Sequence, residues 1–200
     1  RSELTASYRW PMGDPRREWF SINAGAQHEN TDTSENDTFK LGIQRSMSLS
    51  ERWVQTQYVD FAYEQFRIGE QDENSRLVIF GISRDSTIGR EFRRTERGRS
   101  LNFDIRGASD ALGSDTNFLQ FTATGRWLRS FGSRSRVLLR ASLGTTLRDE
   151  LTELPASVRF FSGGDRSVRG YDFEALGPRD QTGAVVGGSR LAEFSVEVDR

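Results

Sequence analysis

Residues 19–27 read WFSINAGAQ. Phe20, Ile22, Ala24 and Ala26 alternate with Trp19, Ser21, Asn23, Gly25 and Gln27. Successive side chains of an extended chain point to opposite faces, so this stretch is a strand with one apolar side. The split recurs along the chain. Phe39, Leu41 and Ile43 oppose Lys40, Gly42 and Gln44; Leu101, Phe103 and Ile105 oppose Asn102, Asp104 and Arg106. Leu119, Phe121, Ala123 and Trp127 oppose Phe118, Gln120, Thr122 and Thr124. Val137, Leu139, Ala141 and Leu143 oppose Leu138, Arg140, Ser142 and Gly144. Ala192, Phe194, Val196 and Val198 oppose Leu191, Glu193, Ser195 and Glu197. Further strands are expected at about 3–12, 52–66 and 75–86. The last is apolar on both faces at Leu77, Val78, Ile79 and Phe80, so its register is open. The pattern predicts nine antiparallel strands and no helix.

The strands are long, and a tilted membrane-crossing strand needs roughly 9–11 residues. The connections alternate between tight turns (Pro11 to Pro15, Ser48 to Glu51, Ser130 to Ser135) and polar loops (Glu29 to Asp37, Gly69 to Asn74, Gly107 to Thr116). Thr87 to Gly98 breaks the rule by its length, and Arg148 to Gly188 is longest of all. Short turns on one side and long loops on the other fit an outer-membrane β-barrel, with the longest connection on the outside of the cell. Trp10, Trp19, Trp53, Tyr63, Phe66, Trp127 and Phe131 gather towards strand ends, as a barrel's aromatic girdles do. A soluble β-sandwich also alternates, but its apolar faces would have to meet in pairs.

Composition excludes several other functions. The 28 basic residues nearly balance 29 acidic ones, for a net charge of -1, without the positive surplus of a nucleic-acid binder. With no Cys and a single His, disulfides, zinc sites and His-based triads have no material. Gly163-Gly164-Asp165 lacks the lysine and helix of a phosphate-binding P-loop. His28 is expected in an exposed loop. Arg90, Arg93, Arg94, Arg97 and Arg99 read as a periplasmic turn mixed with Glu91 and Glu96. Asp110 and Asp115 offer a weak calcium reading. No cofactor, metal or covalent chemistry is expected.

Residues 158–178, VRFFSGGDRSVRGYDFEALGP, combine glycines, arginines and aromatics inside the longest connection. Such a loop is too rich in aromatics to be disordered and is expected to pack against something; in a wide barrel the large polar cavity on offer is the lumen. The string Gly163-Gly164-Asp165-Arg166-Ser167-Val168-Arg169-Gly170-Tyr171 resembles the signature of the bacterial surface antigen family, the barrel domain of outer-membrane assembly factors of the BamA and TamA type. Phe160-Phe161 before it and Arg99 to Gly107 upstream are most similar to TamA.

The resemblance implies a sixteen-stranded barrel, of which residues 1–200 would be a partial C-terminal barrel domain holding the fourth to twelfth strands. The remaining strands and the periplasmic POTRA domains would lie elsewhere in a longer protein. The extracellular loop at about 148–188 would insert into the lumen, and Arg169 would contact inner-wall acids, Glu197 among them. A guanidinium suits that role because its planar fork stays charged and can pin a loop to carboxylates. Gly163, Gly164 and Gly170 would let the backbone approach the wall, and Tyr171 and Phe173 would supply apolar mass. The implied function is insertion or translocation of client outer-membrane proteins, autotransporters included, with membrane lipid and a TamB-like inner-membrane-anchored protein as partners. A passive pore, a dedicated secretion transporter and a soluble β-sandwich binding module are the competing expectations.

Overall fold

The computed structural model describes residues 2–30, 34–68, 71–88, 97–131, 135–148, 154–164 and 167–200. Its nine strands are β1 (Ser2–Pro11), β2 (Glu18–Asn30), β3 (Ser34–Ser48), β4 (Trp53–Ile68), β5 (Gln71–Ile88), β6 (Arg97–Ala108), β7 (Phe118–Phe131), β8 (Ser135–Arg148) and β9 (Arg190–Asp199). They form one antiparallel sheet in sequence order, each strand hydrogen-bonded to its neighbours along the chain. Two short 3-10 turns, Asp110–Leu112 and Ala156–Val158, complete the regular structure.

Register sorts the side chains into two faces. Leu41 pairs with Ala24 and Phe61, Phe61 with Val78, and Val59 with Phe80. The band continues through Ile82–Ile105, Ile105–Phe121, Ala123–Leu143 and Leu139–Val196. No second sheet covers this band among the described residues. Phe61, Ile82, Phe103, Ile105 and Leu143 stay exposed, and Phe194 is 76% exposed. Those oily faces do not stack on each other, which removes the β-sandwich. A soluble fold would not leave a contiguous apolar wall uncovered; a lipid-facing barrel wall must.

The opposite face carries the polar side chains and the long connection. Tyr58 donates to Asp104 across β5 at 2.8 Å. Its ring lies over Gly81, where a Cβ would come within 2.1 Å of it. A glycine on the middle strand is what allows this reach from β4 to β6.

The strands outrun their sequence-based bounds. The expected polar loops Glu29–Asp37 and Gly69–Asn74 are largely hairpin: Asn30 pairs with Glu35, His28 with Asp37, Gln71 with Ile68 and Phe66 with Glu73. His28 is therefore a strand residue, 2.8 Å through Nδ1 from the Asp37 carboxylate. Thr31 to Thr33 and Gly69 to Glu70 lie outside the described residues, as do residues 89–96, with Arg90, Glu91, Arg93, Arg94 and Glu96. Where a ribbon leaves hydrocarbon both of its faces meet water, so it keeps its hydrogen bonds without alternating in polarity. The doubly apolar segment of β5 is settled by what covers it. Leu77 and Ile79 are buried on the loop-bearing face, and Val78 and Phe80 point the other way.

β5 also runs beyond the end of β6. The connection after β6 closes that open edge: Arg76 N–H donates to Asp115 Oδ2 at 2.7 Å and Val78 N–H to Ser114 Oγ at 2.9 Å.

An arginine at Ile105, within the apolar band, should cost about 2–4 kcal/mol of folding free energy in lipid. The same side chain at Thr124, on the polar face, should change stability little. Urea unfolding of protein refolded into vesicles measures both, and equal costs would contradict the face assignment.

Candidate functional site

The connection between β8 and β9 is rooted on the polar face before its tip begins. Leu154 and Val158 are fully buried against Ala62, Leu77, Ile79, Ala108 and Phe118. This is the one hydrophobic cluster on that face among the described residues. Polar groups then hold the 3-10 turn between them. Ser157 N–H donates to Glu64 Oε1 at 3.0 Å, and Arg106 Nη2 donates to Ser157 O at 3.3 Å. Gln120 Nε2 donates to Val158 O and to Thr146 Oγ1, both at 2.7 Å, while Gln120 Oε1 accepts from Arg106 Nε at 2.7 Å. Each bond is modest in net terms, but leaving any of these buried partners unsatisfied would cost about 1–3 kcal/mol.

Arg159 ties the two limbs of the connection together. Its Nε donates to Leu154 O at 2.7 Å and its Nη1 to Val186 O at 3.0 Å; its guanidinium lies 5.9 Å from the Phe66 ring centre. The limbs pair at Phe160–Gly188 and Ser162–Leu176, and the return limb folds on itself at Arg179–Val185. The Phe160 ring lies on the wall at Gly144, where a Cβ would meet it at 2.5 Å.

The tip follows. Gly163 and Gly164 have φ of +115° and +94°, and a Cβ at Gly163 would come within 2.3 Å of Asp172 O. They let the tip close on its own limb, at Asp172 and Phe173, rather than approach the wall. Gly170, with φ +89°, has open space around it and serves the turn alone. Gly164 N–H donates to Tyr171 O at 3.0 Å and Ser167 N–H to Gly164 O at 3.1 Å.

Two carboxylates of β9 receive this tip. Glu193 accepts from the hydroxyls of both Ser162 and Ser167. Glu197 is paired with Arg140 of β8 and lies 3.3 Å from Arg169 Nη2. The Arg169 side chain is 63% exposed, against 16% for Arg140 and 21% for Glu197. Asp165 and Arg166 lie outside the described residues. Val168, Tyr171 and Phe173 are exposed, so the apolar mass expected of Tyr171 and Phe173 comes instead from Leu154, Val158 and Val185. Sequence reasoning did not select Glu64, Gln120, Arg106 or Glu193 as loop partners. The available sign was a polar residue on a strand's inward face, which does not say what it will meet.

The arrangement anchors a loop. Asp110 and Asp115 make no calcium site. Asp110 Oδ1 accepts from Ala111 N–H, and Asp115 binds Arg76 at 3.0 Å. That hydrogen bond from the Arg76 side chain holds the Asp115 carboxyl below the usual carboxylate range. No cluster of three or more His, Asp or Glu is placed to hold a metal among the described residues.

Residues 14–199 match the Omp85 superfamily domain. Among solved structures, the crystal structure of BamA from Haemophilus ducreyi lacking POTRA domains 1–3 superimposes with a TM-score of 0.79 at 14% sequence identity. The match covers 98% of this chain and 44% of that one, so the chain spans less than half the length of the structure it matches. At that identity the likeness speaks for the fold.

Glu197 has one shielded and one exposed partner, which separates the expected costs. Removing Glu197 strands Arg140 and should cost roughly 3–5 kcal/mol. Arg169→Ala removes an exposed partner and should cost about 0–1 kcal/mol. Denaturant titration of Glu197→Ala, Arg169→Ala and the double variant measures both; equal single costs would contradict this division.

Proposed function

The chain belongs to the Omp85 superfamily of bacterial outer-membrane β-barrel proteins, and from that premise we propose that it is the middle of a TamA-type barrel that inserts or translocates other outer-membrane proteins, autotransporters among them. In this reading the nine strands are the fourth to twelfth of sixteen. The polar face lines the lumen, the β8–β9 connection enters from the extracellular side, and the short turns face the periplasm. POTRA domains elsewhere in the protein would meet a TamB-like partner anchored in the inner membrane.

The observation that carries the proposal is the seat of the signature loop. Ser162 and Ser167 hydrogen-bond Glu193, and Arg169 reaches Glu197, on the wall strand that follows the loop. A passive pore could be constricted by any loop that fills it. A loop with a rooted base and a tip held by two carboxylates of one strand fixes β9 relative to the lumen. Insertion needs that kind of control, because client strands add to a sheet edge by backbone pairing and a wall left to drift would present no defined edge. The proposed work is done by shape and pairing, with no covalent step.

Cells carrying Arg169→Ala together with Glu193→Gln should display an autotransporter client several-fold less than wild type at equal barrel abundance. Surface labelling of the client measures this. Normal display, together with an unchanged ion conductance of the purified barrel, would favour the passive pore instead.

A further inference from the structure

The lipid-facing wall is not uniformly apolar. On its outward side Arg45 of β3, Gln55 and Gln57 of β4 and Arg84 of β5 stand together, with Glu18 of β2 beside Arg45. Arg84 Nε donates to Gln55 Oε1 at 3.0 Å, which turns the guanidinium across the wall. Among the described residues Arg84 has no carboxylate partner. Arg45 is paired with Glu18.

The depth of this cluster is unusual. Trp53, stacked on Phe103 at 6.1 Å, marks the aromatic girdle at the short-turn end. Arg84 is in register with Gln55, two residues past Trp53, and Arg45 with Gln57, four residues past it, and also with Phe20, whose other partner is Trp10 of the girdle. At about 3.3 Å per residue these are roughly 7 and 13 Å along the strands from Trp53, which puts Arg84 on the hydrocarbon side of the girdle and Arg45 level with Trp10. Arg99 and Arg129 lie nearer the strand ends, where headgroups reach them freely. A guanidinium inside the girdle needs a counter-charge that can come to it there.

A groove of about 850 Å³ opens beside the cluster on the same outward face, lined by Arg45, Gln57 and Arg84 at one end and by apolar residues including Ile43, Phe80 and Ile105 along its length. We propose that this groove binds one glycerophospholipid of the leaflet on the short-turn side. Its phosphodiester is held between Arg45 and Arg84, and its acyl chains lie along Ile43, Phe80 and Ile105. Charge selects this occupant. Two guanidiniums and the Glu18 carboxylate leave one net positive charge, which a phosphodiester neutralises. Planar guanidinium forks suit phosphate oxygens, and a headgroup ammonium would find Glu18. That this leaflet is periplasmic rests on the orientation proposed above; the site itself does not.

Native mass spectrometry of the folded protein in detergent, titrated with phosphatidylethanolamine and with diacylglycerol of the same chains, tests the proposal. Wild type should hold one phospholipid under conditions that strip diacylglycerol. Arg45→Gln with Arg84→Gln should weaken that retention at least tenfold, while Arg99→Gln with Arg129→Gln should not. Equal retention of diacylglycerol by wild type would overturn the proposal even if the double variant failed to fold. Displacement of the lipid by soluble glycerophosphoethanolamine, or preference for lipid A, would overturn it as well. The readout does not involve client assembly, so failure here and failure of the assembly reading are separate results.

Discussion

Hydrocarbon offers backbone N–H and C=O groups no partners, and every feature of this chain answers to that constraint. A strand in lipid needs its backbone paired, and the nine strands pair in strict sequence order within one sheet, β2 to β8 on both sides. Once the backbone is satisfied in this way, side chains are free to divide by solvent. The apolar set turns to lipid and the polar set turns to the opposite side. Where the ribbons leave the membrane the pairing persists and the division stops, as in the upper parts of β2–β3 and β4–β5.

The polar face then poses a second problem, because a long connection must come to rest on it. A loop that only approached the wall would bury carbonyls and amides without partners. Here the wall meets them with side chains set by strand register: Glu64 for the Ser157 amide, Gln120 for the Val158 carbonyl and Arg106 for the Ser157 carbonyl. Leu154 and Val158 pack over Leu77 and Ile79. The tip is held differently, by hydroxyls and a guanidinium on carboxylates of β9. The root carries the buried apolar contacts, whereas the tip is held by polar contacts alone, of which the Arg169 pair is exposed.

The faces of the strands were legible in the sequence because burial in lipid imposes a period of two, and Trp19 to Gln27 displays it without interruption. The same alternation turns Glu197 inward, and in the structure it lies beside Arg140 and Arg169. The strand ends were not legible, since residues 29–37 are polar throughout and a hydrated hairpin leaves no period to find. Nor was the register of Leu77 to Phe80. Its burial depends on Leu154 and Val158, more than seventy residues later, and no local pattern encodes that partner. Tyr171 and Phe173 misled for the converse reason: aromatic character predicted burial, and the tip folds on its own glycines and leaves both exposed.

In the membrane-embedded protein the loop is seated on the β9 wall. Cysteines at Ser162 and Glu193, whose native side chains are in direct contact, can be oxidised in intact membranes and followed by gel mobility. The seated loop predicts rapid cross-linking of the folded protein to near completion. If instead both thiols remain open to a membrane-impermeant maleimide and no cross-link forms, the loop does not rest where the structure places it.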